Sequence, residues 1–135
     1  MALKIISWNA HSLQAHPREL KHYLSKTRKL PDIICVQETW LKEDSKFEIP
    51  GYSREMKCRK DVRGGGVAIF ILKEIKYLIE NMPSEVEGLA IKIKTNGQEL
   101  NIVNLYLPPH VDFNAATISE IFEKNKCHNM RRPKC

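Results

Sequence analysis

Residues 32–41 read DIICVQETWL, and the fold depends on how this stretch divides. Its apolar run, Ile33-Ile34-Cys35-Val36, is bounded by Pro31 on one side and by Gln37 and Glu38 on the other. A run of that length with β-branched residues predicts a buried strand from Asp32 to Val36. The strand closes on Glu38, and a carboxylate at the end of an apolar strand is costly unless its charge is compensated. Glu38 is therefore the first candidate functional residue.

Upstream, LKIISWN (residues 3–9) is a second short strand and ends on Asn9. Between the two, Pro17 suits a first helical position, and Leu20, Tyr23, Leu24 and Leu30 follow at near-helical spacing until Pro31 stops the helix. Strand, helix and strand with short connections predict a parallel βαβ unit. Downstream the pattern becomes a meander. GYSREMKC (51–58) and GGGVAIFIL (64–72) read as strands joined by the basic loop RKDVRGG (59–65). GLAIKIKTNGQELNIVNLYL (88–107) contains Asn96-Gly97 between two alternating runs, a strong hairpin signal. DFNAATISEIFEK (112–124) reads as a helix capped by Asp112 or Asn114, with Ile118, Ile121 and Phe122 on its apolar face. Residues 125–135 lack periodicity and read as a disordered basic tail. The expected fold is α/β with mixed parallel and antiparallel strands, without internal repeat or linker.

Composition is that of an ordinary globular chain: 135 residues, 42% hydrophobic and 28% charged. A net charge of +6 and a pI near 9.2 favour a polyanionic partner over an acidic one. Part of the excess lies in Lys124, Lys126, Arg131, Arg132 and Lys134, and a solvated basic surface accounts for it as well. No apolar run approaches the roughly 18–20 residues of a membrane span. Met1 to Ile6 carries no basic region ahead of a long apolar stretch, so no signal peptide is expected, and nucleus or cytoplasm is. Cys35 belongs to the core run, while Cys127, His128 and Cys135 match no zinc spacing.

Three polar residues fall at strand ends: Asn9, Glu38 and Tyr106. In open α/β sheets ligands gather outside the carboxyl ends of strands. Asn9 and Glu38 end strands flanking one crossover, and a carboxylate converging with an amide oxygen suits a hard divalent cation such as magnesium. The bland alternative is a solvated acid that caps a turn or pairs with a surface lysine.

IISWNAHSL, PDIICVQETWL, RGGGVAIFI and NIVNLYLPP, in this order over residues 3–109, resemble the endonuclease/exonuclease/phosphatase superfamily. The resemblance extends to the apurinic-type endonuclease domain that opens the polyprotein of non-LTR (LINE-type) retrotransposons. It implies a truncated α/β sandwich of that type, with residues 1–124 as the N-terminal half of the domain. Asn9 matches the family asparagine near the metal, Glu38 the metal-binding glutamate, and Tyr106 the tyrosine whose hydroxyl points at the scissile phosphate. Mg2+, or Mn2+ in its place, is the implied cofactor, and the DNA phosphate backbone the implied partner. The nick made by such enzymes primes a reverse transcriptase carried by the parent polyprotein. His11 stands where relatives often carry Asp or Asn.

Two family motifs have no match here. One is a GDxN turn that holds the attacking water and the phosphate; the other is an SDH whose His serves the phosphate. Asp112-Phe113-Asn114 follows YLPPHV rather than an apolar strand and reads as a helix start, while His128 in KCHNM lacks the aspartate partner. Lys57, Arg59, Lys60 and Arg63 are candidates for DNA phosphate contacts, a solvated loop being the alternative. Gly64-Gly65-Gly66 is no phosphate cradle, because no Lys-Ser/Thr follows and a strand comes next. His16, His22 and His110 fit no pattern. Two readings result: half of a magnesium-dependent DNA endonuclease, inactive alone, or a non-catalytic binding module or decayed product of a mobile element. A half sandwich with little beyond its first sheet is expected to expose an apolar sheet face.

Overall fold

The computed structural model describes residues 3–58, 65–83, 86–107 and Ser119. Its elements are β1 (Ile5–Asn9), α1 (Pro17–Lys26), β2 (Ile33–Gln37), β3 (Tyr52–Lys57), β4 (Val67–Leu72), β5 (Tyr77–Glu80), β6 (Gly88–Thr95) and β7 (Gln98–Leu105). A four-stranded sheet runs β1-β2-β4-β3 and a three-stranded sheet runs β5-β6-β7. β1 pairs parallel to β2, with Ile5 opposite Ile33 and Asn9 opposite Gln37. Every other pairing among the described residues is antiparallel.

The central strands β2 and β4 are covered on both faces, which is why both are nearly continuous apolar runs. On one face Ile34, Val36, Ala68 and Phe70 pack with Leu20 of α1 and with Leu13, Leu41 and Ile49 from loops. On the other, Ile33, Cys35, Ile69 and Ile71 meet Ile91, Ile93 and Ile102 of the second sheet. Fully burying an aliphatic side chain of this size is worth about 1.5–3 kcal/mol, so the two layers together hold the sandwich. Burial pushes the Cys35 thiol up to about 11, so it acts as a core residue rather than a nucleophile.

Three expectations change. The chain supplies three strands of a second sheet, so the face predicted to stand open is covered: Ile33, Ile69 and Ile71 are all fully buried. The greatest apolar exposure among the described residues is instead on the edge strand β5, at Leu78 and Ile79, 67% and 59% exposed. β5 itself escaped the sequence reading, because four residues with half their side chains in solvent show no clean alternation. The helix also ends at Lys26 rather than running on to Leu30. Thr27 is already extended, and its hydroxyl receives a hydrogen bond from Lys4 Nζ, which anchors the chain to the start of β1.

The hairpin turn falls where expected: Asn96 and Gly97 both have positive φ, 52° and 77°, as the two-residue turns favoured in hairpins require. Residues 112–124 and 125–135 lie outside the described residues, apart from Ser119. No helix among the described residues is long and apolar enough to cross a membrane.

Candidate active site

The loops leaving β1 and β2 are zipped together by their backbones. Ala10 N–H donates to Gln37 O at 2.9 Å, Ser12 N–H to Glu38 O at 2.8 Å and Leu13 N–H to Thr39 O at 2.9 Å. The parallel pairing thus continues past the strand ends, placing exposed Asn9 beside the backbone of Glu38. On the other side, Thr39 N–H donates to Gly66 O at 3.2 Å and Trp40 N–H to Gly65 O at 2.8 Å. Glu38 is gripped from both flanks.

That grip holds strained backbone. His11, Ser12, Glu38 and Trp40 have φ of 47°, 84°, 52° and 55°, and the other non-glycine case among the described residues is the turn residue Asn96. Each such conformation costs on the order of 1–3 kcal/mol and persists only where the surroundings impose it. The His11 ring lies 4.8 Å from that of Trp40, whose Nε1 is buried and finds no hydrogen-bond partner among the described residues. Strain and an unmet donor are concentrated in the two loops that carry Asn9 and Glu38.

Tyr106 comes from the second sheet, immediately after β7. Its hydroxyl donates to Glu38 Oε1 at 3.0 Å, and its N–H donates to Glu87 O at 2.9 Å. Glu87 Oε1 in turn accepts Gly66 N–H at 2.7 Å. The bonds run from Tyr106 through Glu87 and Gly66 to Thr39, the neighbour of Glu38. Gly66 has no room for a side chain: a Cβ there would lie 2.7 Å from Thr39 Oγ1, at φ +86°. Gly65 and Gly66 therefore serve the loop of Glu38, a role the sequence reading did not find.

The structure brings Glu38 and Tyr106 into contact and sets Asn9 on the adjacent strand end. Lys57 donates its ammonium to Val86 O at 2.7 Å and is part-buried, so it acts as a brace between the hairpin and the second sheet. Arg59, Lys60, Arg63, His110, Asp112, Asn114, Cys127, His128 and Cys135 lie outside the described residues. His16 meets Glu19 at 3.5 Å on the surface, and His22 is exposed.

The donor set fits one hard cation. An ionised carboxylate offers about four lone-pair positions, so Glu38 can accept the phenol and still ligate. Among the described residues no lysine or arginine pairs with it, and no three His, Cys, Asp or Glu side chains form a closed cage. A half-buried carboxylate without such a cage leaves room for a hard divalent cation that keeps several of its waters. Beyond Glu38 and Tyr106, Glu87 and Gly66 also hold the site together. Their signal was weak, because each is an ordinary residue whose part depends on a distant partner.

Similar architectures occur in a 3′ phosphatase from Neisseria bound to product DNA hairpin (21% identity, TM-score 0.58, covering 97% of this chain and 54% of that one). An AP endonuclease from Archaeoglobus fulgidus matches at 25% identity and TM-score 0.58, over 91% of this chain and 48% of that one. A 3′-5′ exonuclease from Neisseria meningitidis matches at 19% identity and TM-score 0.58, over 96% and 54%. This chain spans about half the length of each. With the two-sheet sandwich and the strand-end cluster in place, a family model matches residues 6–130, and the chain belongs to the endonuclease/exonuclease/phosphatase family.

Proposed function

We propose that this chain supplies one half of a magnesium-dependent DNA endonuclease site, of the kind by which a retrotransposon nicks target DNA to prime reverse transcription. The observation that carries the reading is the Tyr106–Glu38 contact across the two sheets, at 3.0 Å, beside the strand end that bears Asn9. Glu38 and Asn9 would hold the Mg2+, which when bound polarises a phosphodiester oxygen and helps to form the nucleophile. Glu38 supplies the anionic oxygen. Tyr106 supplies a hydroxyl donor that can pass from Glu38 to a phosphate oxygen as negative charge builds there.

Membership of the family and the likeness to an AP endonuclease support phosphodiester hydrolysis. The retrotransposon assignment rests on the four sequence motifs. With neither GDxN nor SDH matched in its 135 residues, the chain by itself is expected to be inactive. A parent polyprotein would add both motifs and a reverse transcriptase.

The test is Mg2+ titration of the 15N-labelled full chain. The expected result is saturable shifts at the amides of Ala10, Glu38, Thr39 and Tyr106 that vanish in Glu38→Gln. Shifts unchanged by that substitution, or centred elsewhere, overturn the reading. The mobile-element assignment is tested by sequencing the gene past the codon for Cys135, where GDxN, SDH and a reverse transcriptase are expected.

A further inference from the structure

We propose that Asn104 is a positioning residue, a latch between the two sheets that sets the distance from Tyr106 to Glu38. The proposal rests on the reading of the site given above.

Asn104 lies on β7, two residues before Tyr106, and is 2% exposed. Its Nδ2 donates to Val36 O at 3.0 Å and to Ala68 O at 2.8 Å. Val36 and Ala68 are register partners across β2 and β4. Its Oδ1 accepts from Gln37 Nε2 at 2.6 Å, and the same Nε2 reaches Ser7 Oγ on β1 at 3.1 Å. One amide thus binds β7 to both central strands of the facing sheet and, through Gln37, to β1.

The spacing makes this a device for the site. Val36 stands two residues before Glu38 on one strand, Ala68 two residues after Gly66 on the next, and Asn104 two residues before Tyr106 on the third. Elsewhere the inter-sheet contact is mostly isoleucine on isoleucine: Ile33, Ile69 and Ile71 against Ile91, Ile93 and Ile102. Apolar packing is non-directional, so it brings the sheets together without choosing an offset. A shift of 1 Å between them would break the 3.0 Å bond from Tyr106 to Glu38. Three hydrogen bonds on one buried amide are directional and cannot follow such a shift. A buried amide that loses its partners pays the full desolvation cost, so the latch admits one offset.

Two measurements on the full chain test this. In the wild type, native-state hydrogen exchange is expected to show the Asn104 side-chain amide protected as well as the backbone amides of Thr39 and Tyr106. Faster exchange of the side-chain amide, with those two still protected, would mean that the latch opens while the site stays closed, and the proposal falls. The second measurement uses Asn104→Leu/Gln37→Leu, which removes both partners of the Gln37–Asn104 bond, while Val36 O and Ala68 O lose the Asn104 donor; the amides of Ile34, Ile69 and Ile91 report whether the fold persists. Thr39 and Tyr106 amides should lose at least tenfold in protection while those of Ile34, Ile69 and Ile91 keep theirs. Mn2+ affinity, measured by electron paramagnetic resonance, should fall at least tenfold, toward that of Glu38→Gln. Unchanged protection, or lost protection with wild-type Mn2+ affinity, overturns the positioning role. If Glu38→Gln itself binds Mn2+ like the wild type, the metal reading fails instead, and the latch is then judged on exchange alone.

Discussion

The Tyr106 hydroxyl and the Glu38 carboxylate, 68 residues apart in sequence and on different sheets, meet at 3.0 Å. Their contact is the point where the sandwich closes on its candidate site. A double-mutant cycle of Tyr106→Phe and Glu38→Ala should give a coupling of about 0.5–1.5 kcal/mol, the net worth of one hydrogen bond with its acceptor partly solvated. Glu38→Gln should keep most of it, because the amide oxygen still accepts. Urea unfolding of the four proteins measures the coupling, and a value of zero would show that the two groups do not meet in solution.

Gly66 and Gly97 separate backbone strain from packing. Both have positive φ, +86° and +77°, but a Cβ at Gly97 meets nothing within 4 Å, whereas at Gly66 it meets Thr39 Oγ1 at 2.7 Å. That hydroxyl cannot readily give way, since Thr39 is buried and its Oγ1 accepts Leu41 N–H. Gly97→Ala should cost about 1–2 kcal/mol from backbone strain. Gly66→Ala should cost a further ~1–3 kcal/mol from overpacking. Equal urea midpoints for the two would refute the difference.

Alkaline pH should destabilise the sandwich through two phenols. Burial first, then the charges of Asp32 and Glu74, raises Tyr52 to about 12. Burial first, then its bond to Glu55, raises Tyr77 to about 12. Tyr52 donates to Pro31 O at 2.6 Å and Tyr77 to Glu55 Oε2 at 2.5 Å, both bonds that need the proton. An unfolded phenol ionises near pH 10. Their contribution is therefore complete below pH 10 and disappears as pH rises to 12, because only the unfolded chain releases the protons freely. Urea midpoints between pH 9 and 12 should fall, and the fall should be shallower in Tyr52→Phe and in Tyr77→Phe.

Nicking by the full 135-residue chain should be negligible. A general acid or base is typically worth ~10²–10⁴ in rate, and a transition-state donor ~10²–10³. Such losses do not simply multiply, but a large deficit remains. Supercoiled and abasic-site DNA with Mg2+ provide the assay, with EDTA and Glu38→Ala as controls. Substantial cutting lost in both controls would show that the chain carries its own substitutes for GDxN and SDH, and Asp112 and Asn114 would then be the residues to test.

Local order fixed much of this protein in advance. The apolar runs at 33–36 and 67–72 read as strands, Asn96-Gly97 read as a hairpin turn, and Pro17 opened the helix it was expected to open. Those features follow from periodicity and backbone preference, which act over a few residues. The strand-end positions of Asn9, Glu38 and Tyr106 were legible for the same reason.

What the tertiary structure decided is how those ends meet. Neither the three-stranded second sheet with its short edge strand β5, nor the early stop of α1 at Thr27, nor the latch of Asn104 on Val36 and Ala68 has a local signature. Gly66 was read only as leading into a strand, and Glu87 drew no reading; in the fold Thr39 lies against Gly66, and Gly66 N–H donates to Glu87. Each depends on a partner at least 20 residues away in sequence, or on how much of a face the rest of the fold happens to cover. A sequence displays which groups can form a bond; only the packed sandwich determines which of them arrive within 3 Å of each other.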